Sequence, residues 1–445
     1  MDSTTFSLKQ SPLTASEISS KFGSFIHLAI EKLKMSVVIG RKIFADFCGS
    51  HLKKLSTRSK IVRFGSVAND KSVNLEENAK SGIPASEHGR ISAAVLKKFS
   101  ERFVLENVDP PKILQTNEVL VDVQYCALNA SDALLTKNMY TFEPTLPMVL
   151  GYEFVGKLIQ VGEEAKGQGY KVGDKIIALN KDRYGGLAEQ CIADVNDIWK
   201  VPSEVKSVDA VGLLDDYITA LIALERKVSI QEEDMILINV GLSGIGLAAV
   251  DLATNVFKAQ VISVSATEDG AALAREKGVL ASFKYKGKTL LKQIEEIAAD
   301  NDIKEIFDDA DGEYFKKVLS CFTNIYKDET TIKDMLRDDN FAVVLHHLSR
   351  EGRVIIAGSA VTVETSDSDT EKNGFSVSGF NLRQYRKKKP ESYRQAGDDI
   401  LQFIEEGLIK PTCSLTVGLP KVNDALDFIL NCKSAGKVII NMKDR

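Results

Sequence analysis

The stretch from Ile236 to Ser265 constrains the fold more than any other part of the chain. A short apolar run, ILINV at Ile236–Val240, leads into Gly241-Leu242-Ser243-Gly244-Ile245-Gly246. The helical pattern LAAVDLATNVF follows, then a second β-branched run, QVISVS, at Gln260–Ser265. Strand, glycine turn, helix and strand within about thirty residues make a βαβ unit, whose crossover belongs in a doubly wound parallel sheet. Runs at Glu305–Phe307 and Gly352–Gly358 supply further parallel strands.

A strand that ends in such a turn delivers backbone N–H groups to a helix N-terminus, where the helix dipole favours a pyrophosphate. The turn residues Gly241, Ser243, Gly244, Ile245 and Gly246, with Gly358 at the end of a later strand, are therefore expected to contact a dinucleotide. A plain tight turn is the competing reading. Ser243 stands where the G-x-G-x-x-G arrangement places its middle glycine, which marks the turn as atypical. At the end of the second strand, NAD-selective sites carry an acid for the ribose hydroxyls, whereas this chain has Ser265. A small neutral residue tolerates a 2′-phosphate, so NADPH is expected over NADH, with Glu268 and Asp269 nearby arguing the other way.

Short β-branched segments separated by Gly, Pro, Asn and Asp fill Ala93 to Trp199, among them VLVDVQY, VGKLIQVG and KIIAL. They read as a compact strand-rich domain. From Phe375 onward come FSVSGF, a helix over Asp398–Glu406 and the strand KVIINM, read together as a return to that first domain. The expected division is an extension over 1–90, a β-rich domain over 91–215, a cofactor domain over 216–358 and a return segment over 359–445.

Within the extension, Met35–Arg63 carries seven Lys and Arg against the single acid Asp46. A basic amphipathic helix of that kind resembles a mitochondrial transit peptide, which implies the matrix. A charged surface helix of a cytoplasmic protein is the alternative, and Met1 or Met35 could be the start. The polar segment Ser66–Gly89 reads as a linker.

A net charge of −5 gives no footprint for nucleic acid. No apolar run is long enough for a membrane-spanning helix. The six cysteines contain no C-x-x-C pair and read as reduced, mostly buried thiols. The five histidines leave none between positions 89 and 345, so chemistry seated there works without imidazole.

With these features in place, CALNASDALL at 126–135, LPMVLGYEFVG at 146–156 and GIGLAAVDLATNVF at 244–257 resemble the medium-chain dehydrogenase/reductase superfamily, within it the quinone oxidoreductase-like proteins. The likeness spans about Ser92 to Lys443. It implies an α/β protein with a GroES-like catalytic domain, a Rossmann domain and a homodimeric assembly.

The Cys, His and Cys that hold catalytic zinc in alcohol dehydrogenases correspond to Asn129, Tyr152 and approximately Val211, none a replacement for thiolate or imidazole. The resemblance therefore implies hydride transfer to a quinone or α,β-unsaturated carbonyl without metal. Asn129 would lie beside the nicotinamide and Tyr140 would match a catalytic tyrosine of enoyl-thioester reductases. A loop cap and a packed ring are their structural alternatives. Thr219 would line the cofactor cleft, and Tyr285, flanked by Lys284 and Lys286, would reach the 2′-phosphate.

Three departures stand out. Gly270 replaces a lysine that binds the 2′-phosphate in many quinone reductases. Asp215 and Asp216 stand where relatives have small or neutral residues; they read first as a solvated turn, and otherwise as a repulsion toward an anionic ligand. The charged stretch 322–341 reads as a surface insertion. Enoyl-thioester reduction and a catalytically weak NADP(H)-binding sensor or scaffold remain the alternative functions.

Overall fold

In the computed structural model the described residues are 89–444, apart from 114, 139–143, 242–243, 266, 285–289, 299–302, 310–347, 358–374 and 432–433. Residues 1–88 of the expected 1–90 extension, Tyr140, Ser243, Tyr285, Lys286, the 322–341 insertion and Gly358 thus lie outside them.

The first half is built from β1 (Ile91–Leu96), β2 (Val104–Val108), β3 (Glu118–Leu128), α1 (Ala130–Thr136), β4 (Met148–Val149), β5 (Glu153–Val161), α2 (Glu163–Gly167), β6 (Lys175–Leu179), β7 (Gln190–Asp194), β8 (Ile198–Lys200) and α3 (Ser207–Ala210). The second half begins with α4 (Leu214–Leu221), which stays helical to Val228, then β9 (Met235–Val240), α5 (Ile245–Asp251), helical on to Val256, and β10 (Gln260–Ser265). It continues through α6 (Glu268–Glu276), β11 (Ala281–Lys284), α7 (Leu290–Ala298), β12 (Ile303–Asp309), β13 (Leu348–Ala357) and β14 (Phe375–Phe380). Helices α8 (Leu382–Lys388) and α9 (Pro390–Glu405), strand β15 (Cys413–Gly418), helix α10 (Val422–Leu430) and strand β16 (Lys437–Asn441) complete the chain.

Six strands pair in the order β11-β10-β9-β12-β13-β14, all in parallel. Numbered along the chain, this is the 3-2-1-4-5-6 order of a doubly wound sheet, whose ligand crevice opens at the carboxyl ends of the two central strands, where the order reverses. Those strands are β9 and β12, and the glycine turn follows β9. The apolar face of β9 and the small residues of α5 allow close contact: Ile236, Ile238, Ala249 and Val250 are all fully buried.

The second sheet is mostly antiparallel, in the order β15-β16-β3-β5-β6-β8, with β7 also on β3. A small third sheet, β2-β1-β4, covers one side. Together these make the β-rich domain the sequence implied.

One boundary needs correction. FSVSGF does not return to the first domain; Val377 pairs with Val354 and Gly379 with Ile356, so β14 is the edge strand of the parallel sheet. A run of alternating small and apolar residues fits either sheet, and only the partner decides. The return consists of the segment after it. Helix α9 starts at Pro390 rather than Asp398, because proline suits a first helical turn. It is held on the first domain by Trp199, the only tryptophan. A Cβ on Gly397 would lie 2.4 Å from that ring, while the indole N–H donates to the Arg394 carbonyl at 3.1 Å.

Buried Asp251 on α5 ties the parts together. It accepts from Tyr217 of α4 (2.6 Å), from Lys277 beyond α6 (2.8 Å) and from the backbone N–H of Lys410 in the return segment (2.9 Å). A carboxylate with this many donors is satisfied in place of water.

Candidate active site

Strand β3 ends at Leu128 and the chain turns into α1 at Asn129, which keeps an extended backbone in the N-cap position. Asp132 closes the first turn: its carboxylate accepts from the Asn129 N–H at 3.0 Å and from the Gly151 N–H at 3.2 Å. Burial nevertheless pushes Asp132 up to about 7 against those two bonds. The Asn129 amide turns elsewhere. Its Nδ2 donates to Glu153 Oε2 at 3.2 Å, and its Oδ1 accepts from Lys437 Nζ at 2.5 Å.

Lys437 is the first residue of β16 and is buried. Its ammonium also reaches Glu153 Oε2 at 3.1 Å and Asp216 Oδ2 at 3.0 Å. Three N–H donors meet three acceptors, which is what makes the burial tolerable. Burial alone would lower its pKa, but Asp216, Glu153 and Asp215 together hold it above the ordinary lysine value.

A second arm runs through the first residues of α4. Lys181 Nζ pairs with Asp215 Oδ1 at 2.5 Å and lies 4.9 Å from the centre of the Tyr152 ring. The Tyr152 hydroxyl donates to Asp215 Oδ2 at 2.6 Å and shares a 2.8 Å hydrogen bond with Ser131 Oγ. The Asp215 N–H donates to Glu153 Oε1 at 3.0 Å. Burial opposes the ionised form of Asp215, but the two lysines and the hydroxyl hold it below the ordinary aspartate value.

Asp215 and Asp216 are therefore not a solvated turn: each is 6% exposed. Their charge is met by Lys181 and Lys437. The expected solvation fails because α4 begins inside the molecule, where the domains face each other. Asp216 is pushed up to about 7, first by burial and then by Asp215 and Glu153, with Lys437 opposing.

In the parallel-sheet half, the described turn residues Gly241, Gly244, Ile245 and Gly246 lie at the end of β9 and the start of α5. A Cβ on Gly244 would sit 1.8 Å from Asp216 Oδ2. The missing side chain here makes room for a carboxylate of the protein itself. Thr219, one turn further along α4, is buried and donates to the Asp215 carbonyl at 2.6 Å.

Ser265, the small neutral residue expected near the ribose, lies at the end of β10. Its hydroxyl donates to the Val240 carbonyl at 3.0 Å and is buried, so it braces β9 and β10. Gly270 explains itself in the same place, since a Cβ there would lie 2.4 Å from Ser265 Oγ. A lysine there would require the Ser265 hydroxyl to leave its bond to Val240. The exposed Lys284 stands beside Ser265 in register, while Glu268 is paired with Arg275 at 2.6 Å.

Contacts thus join Asn129 to Lys437, Lys437 to Asp216, and Asp216 to Gly244. Sequence reasoning missed Ser131, Asp132, Glu153, Lys181 and Lys437. Two carried a readable signal: Glu153 opens β5 directly before Phe154-Val155 and Lys437 opens β16 directly before Val438-Ile439-Ile440, and a charge beside a buried apolar run needs a partner. The three positions matching zinc ligands hold the Asn129 amide, the Tyr152 phenol and the buried aliphatic Val211. Among the described residues no three His, Cys, Asp or Glu are grouped to hold a metal, and no helix is long and apolar enough to cross a membrane.

Residues 115–219 match the alcohol dehydrogenase GroES-like domain. Quinone oxidoreductase-like protein 2 of Rattus norvegicus is 28% identical over 367 residues, 82% of this chain and 95% of the relative. Its homolog from Nematostella vectensis is 29% identical over 352 residues, 79% of this chain and 89% of the relative.

The chain is similar to the quinone oxidoreductase-like members of the medium-chain dehydrogenase/reductase superfamily over most of its length.

Solved structures share the two-domain fold of this superfamily. A probable oxidoreductase from Mycobacterium abscessus superposes with a TM-score of 0.64 at 21% identity, covering 79% of this chain and 99% of that one. The human synaptic vesicle membrane protein VAT-1 homolog-like protein gives 0.63 at 20% identity, covering 80% and 99%. Similarity to proteins named quinone oxidoreductase and quinone oxidoreductase-like protein 2 supports an oxidoreductase.

Proposed function

We propose that this protein is an NADPH-dependent oxidoreductase that delivers hydride to a quinone or an α,β-unsaturated carbonyl without a catalytic metal. The observation that carries this reading is the clamped amide of Asn129, joined through Lys437 and Asp216 to the glycine turn at the switch point of the parallel sheet. The turn at Gly241 and Gly244–Gly246 would hold the pyrophosphate, and Lys284 at the end of β11 favours a 2′-phosphate. When bound, the nicotinamide supplies the hydride.

The residues of the chain supply the rest. With Oδ1 fixed on Lys437, the Asn129 amide cannot flip, and one Nδ2–H is committed to Glu153. The second Nδ2–H remains to hold a substrate oxygen as negative charge develops on it. Reduction also needs a proton. The chain Lys181, Asp215, Tyr152, Ser131 is hydrogen-bonded throughout and ends two residues from Asn129, so Ser131 is the group through which a proton would be handed on.

A homodimer, implied by the family resemblance, and a mitochondrial address encoded in residues 35–63, expected from the sequence, complete the reading. The names of the similar proteins, quinone oxidoreductase-like protein 2 and quinone oxidoreductase, support the substrate class. A second reading, a cofactor-binding protein with weak catalysis, is favoured by one observation, the Asp216 carboxylate against Gly244. NADPH oxidation measured against quinones, enones and enoyl thioesters tests all three. Turnover of quinones or enones supports the proposal, preference for enoyl thioesters redirects it to that reaction, and binding without turnover supports the second reading.

A further inference from the structure

The carboxylate of Asp216 lies where an anion is expected to arrive from outside. Gly244 is the last residue of the glycine turn before α5, and a Cβ there would be 1.8 Å from Asp216 Oδ2 and 2.8 Å from its carboxyl carbon. The carboxylate is therefore packed onto the backbone that would receive a pyrophosphate. Moving it requires breaking its 3.0 Å ion pair with Lys437.

The surrounding charges do not balance. Facing Asp216 are Lys437 from β16, Glu153 from β5 and Asp215 on its own helix, with Lys181 on the far side of Asp215. Tyr217, next along α4, is turned away toward Asp251. From α5 the nearest residues, Gly244, Ile245 and Gly246, bring no titratable group. Two ammonium groups thus serve three carboxylates before any ligand arrives. A pyrophosphate would add two more negative charges beside the least compensated of them.

Resting on the dinucleotide reading above, we propose that cofactor binding to this chain is coupled to the uptake of one proton by Asp216, with the one Lys437 N–H that serves Asp216 redirected to the pyrophosphate while its contacts to Asn129 and Glu153 stay. Neutral Asp216 removes the repulsion at the turn and frees that N–H. Burial, with Asp215 and Glu153, places its titration at about 7, so the coupling operates near neutrality. Below that pH the proton is already present. Above it, each pH unit weakens binding by up to about tenfold, the limit for one linked proton.

The test is isothermal titration calorimetry of the full chain with NADH and NADPH at pH 6 and pH 8, each in two buffers of different ionisation enthalpy. NADH is included because its pyrophosphate does not titrate in this range, whereas the 2′-phosphate of NADPH does. The expected result with NADH is about one proton taken up at pH 8, nearly none at pH 6, and weaker binding at pH 8. Asp216→Asn should bind at pH 8 as the native chain does at pH 6, with no proton uptake. Saturable binding with no uptake at pH 8 overturns this proposal and leaves the dinucleotide reading standing. No binding of either nucleotide by the native chain or by Asp216→Asn overturns both. Because the proton count is read on the native chain, a variant that fails to fold does not decide the outcome.

Discussion

Lys437 donates to the side-chain oxygen of Asn129 at 2.5 Å, across more than three hundred residues of sequence. That contact fixes which end of the amide faces the cleft. It also makes two buried ion pairs part of the site's geometry, since the same ammonium serves Glu153 and Asp216.

Asn129→Ala should therefore lower the rate of hydride transfer more than it lowers cofactor affinity. Loss of one preorganised donor to a developing oxyanion costs about 10²–10³-fold in kcat. Single-turnover oxidation of bound NADPH by an enone measures it. An unchanged rate would remove Asn129 from the chemistry.

Lys437→Met removes the only cation within reach of Glu153 Oε2 and Asp216 Oδ2 among their described ion pairs. Breaking a buried pair on one side is expected to cost about 3–5 kcal/mol. Urea unfolding of the variant should show a lower midpoint with an unchanged slope. A midpoint equal to the native one would mean that the carboxylates there are already neutral.

Much of this was legible in advance, and the remainder was not for definite reasons. The parallel sheet could be read because its strands, glycine turn and helix lie within one local stretch, from Ile236 to Ser265. FSVSGF could not be placed, since its pattern suits either sheet and its partner β13 is set by tertiary structure. Asp215 and Asp216 looked hydrated because adjacent carboxylates usually are, and the lysines that neutralise them come from β16 and from the turn after β6. Ser265 could be read as a small neutral residue at the end of β10, but its bond to the Val240 carbonyl could not, because a rotamer decides where a hydroxyl points.

Tyr152→Phe keeps the ring, and its edge-on contact with Tyr184, while removing one hydroxyl from the hydrogen-bonded chain. Ser131 and Asp215 each lose a partner, a stability cost of about 1–3 kcal/mol. The sharper expectation is kinetic. The solvent deuterium isotope effect on turnover should rise as proton delivery becomes limiting. An unchanged isotope effect with a normal rate would rule out this route for the proton.

Asp132 gives a pH signature to folding. Its folded value of about 7 exceeds that of an unfolded aspartate, so the folded chain binds more protons between about pH 4 and pH 7. Stability from this group is full at the acid end and is lost as pH rises through that window. Asp132→Asn cannot titrate. It should melt below the native chain at pH 5, with the gap narrowing by pH 8. A gap independent of pH would show that Asp132 is ionised throughout.

The central claim is that hydride passes from a nicotinamide to substrate at Asn129 with no metal taking part. Chelator-treated protein incubated with NADPH deuterated at the transferring position and a simple enone tests it most directly. The account predicts deuterium at the β-carbon of the saturated product, at a rate unaffected by chelation. Loss of turnover on chelation with recovery on adding zinc, or no transfer to any enone or quinone despite bound NADPH, would contradict it.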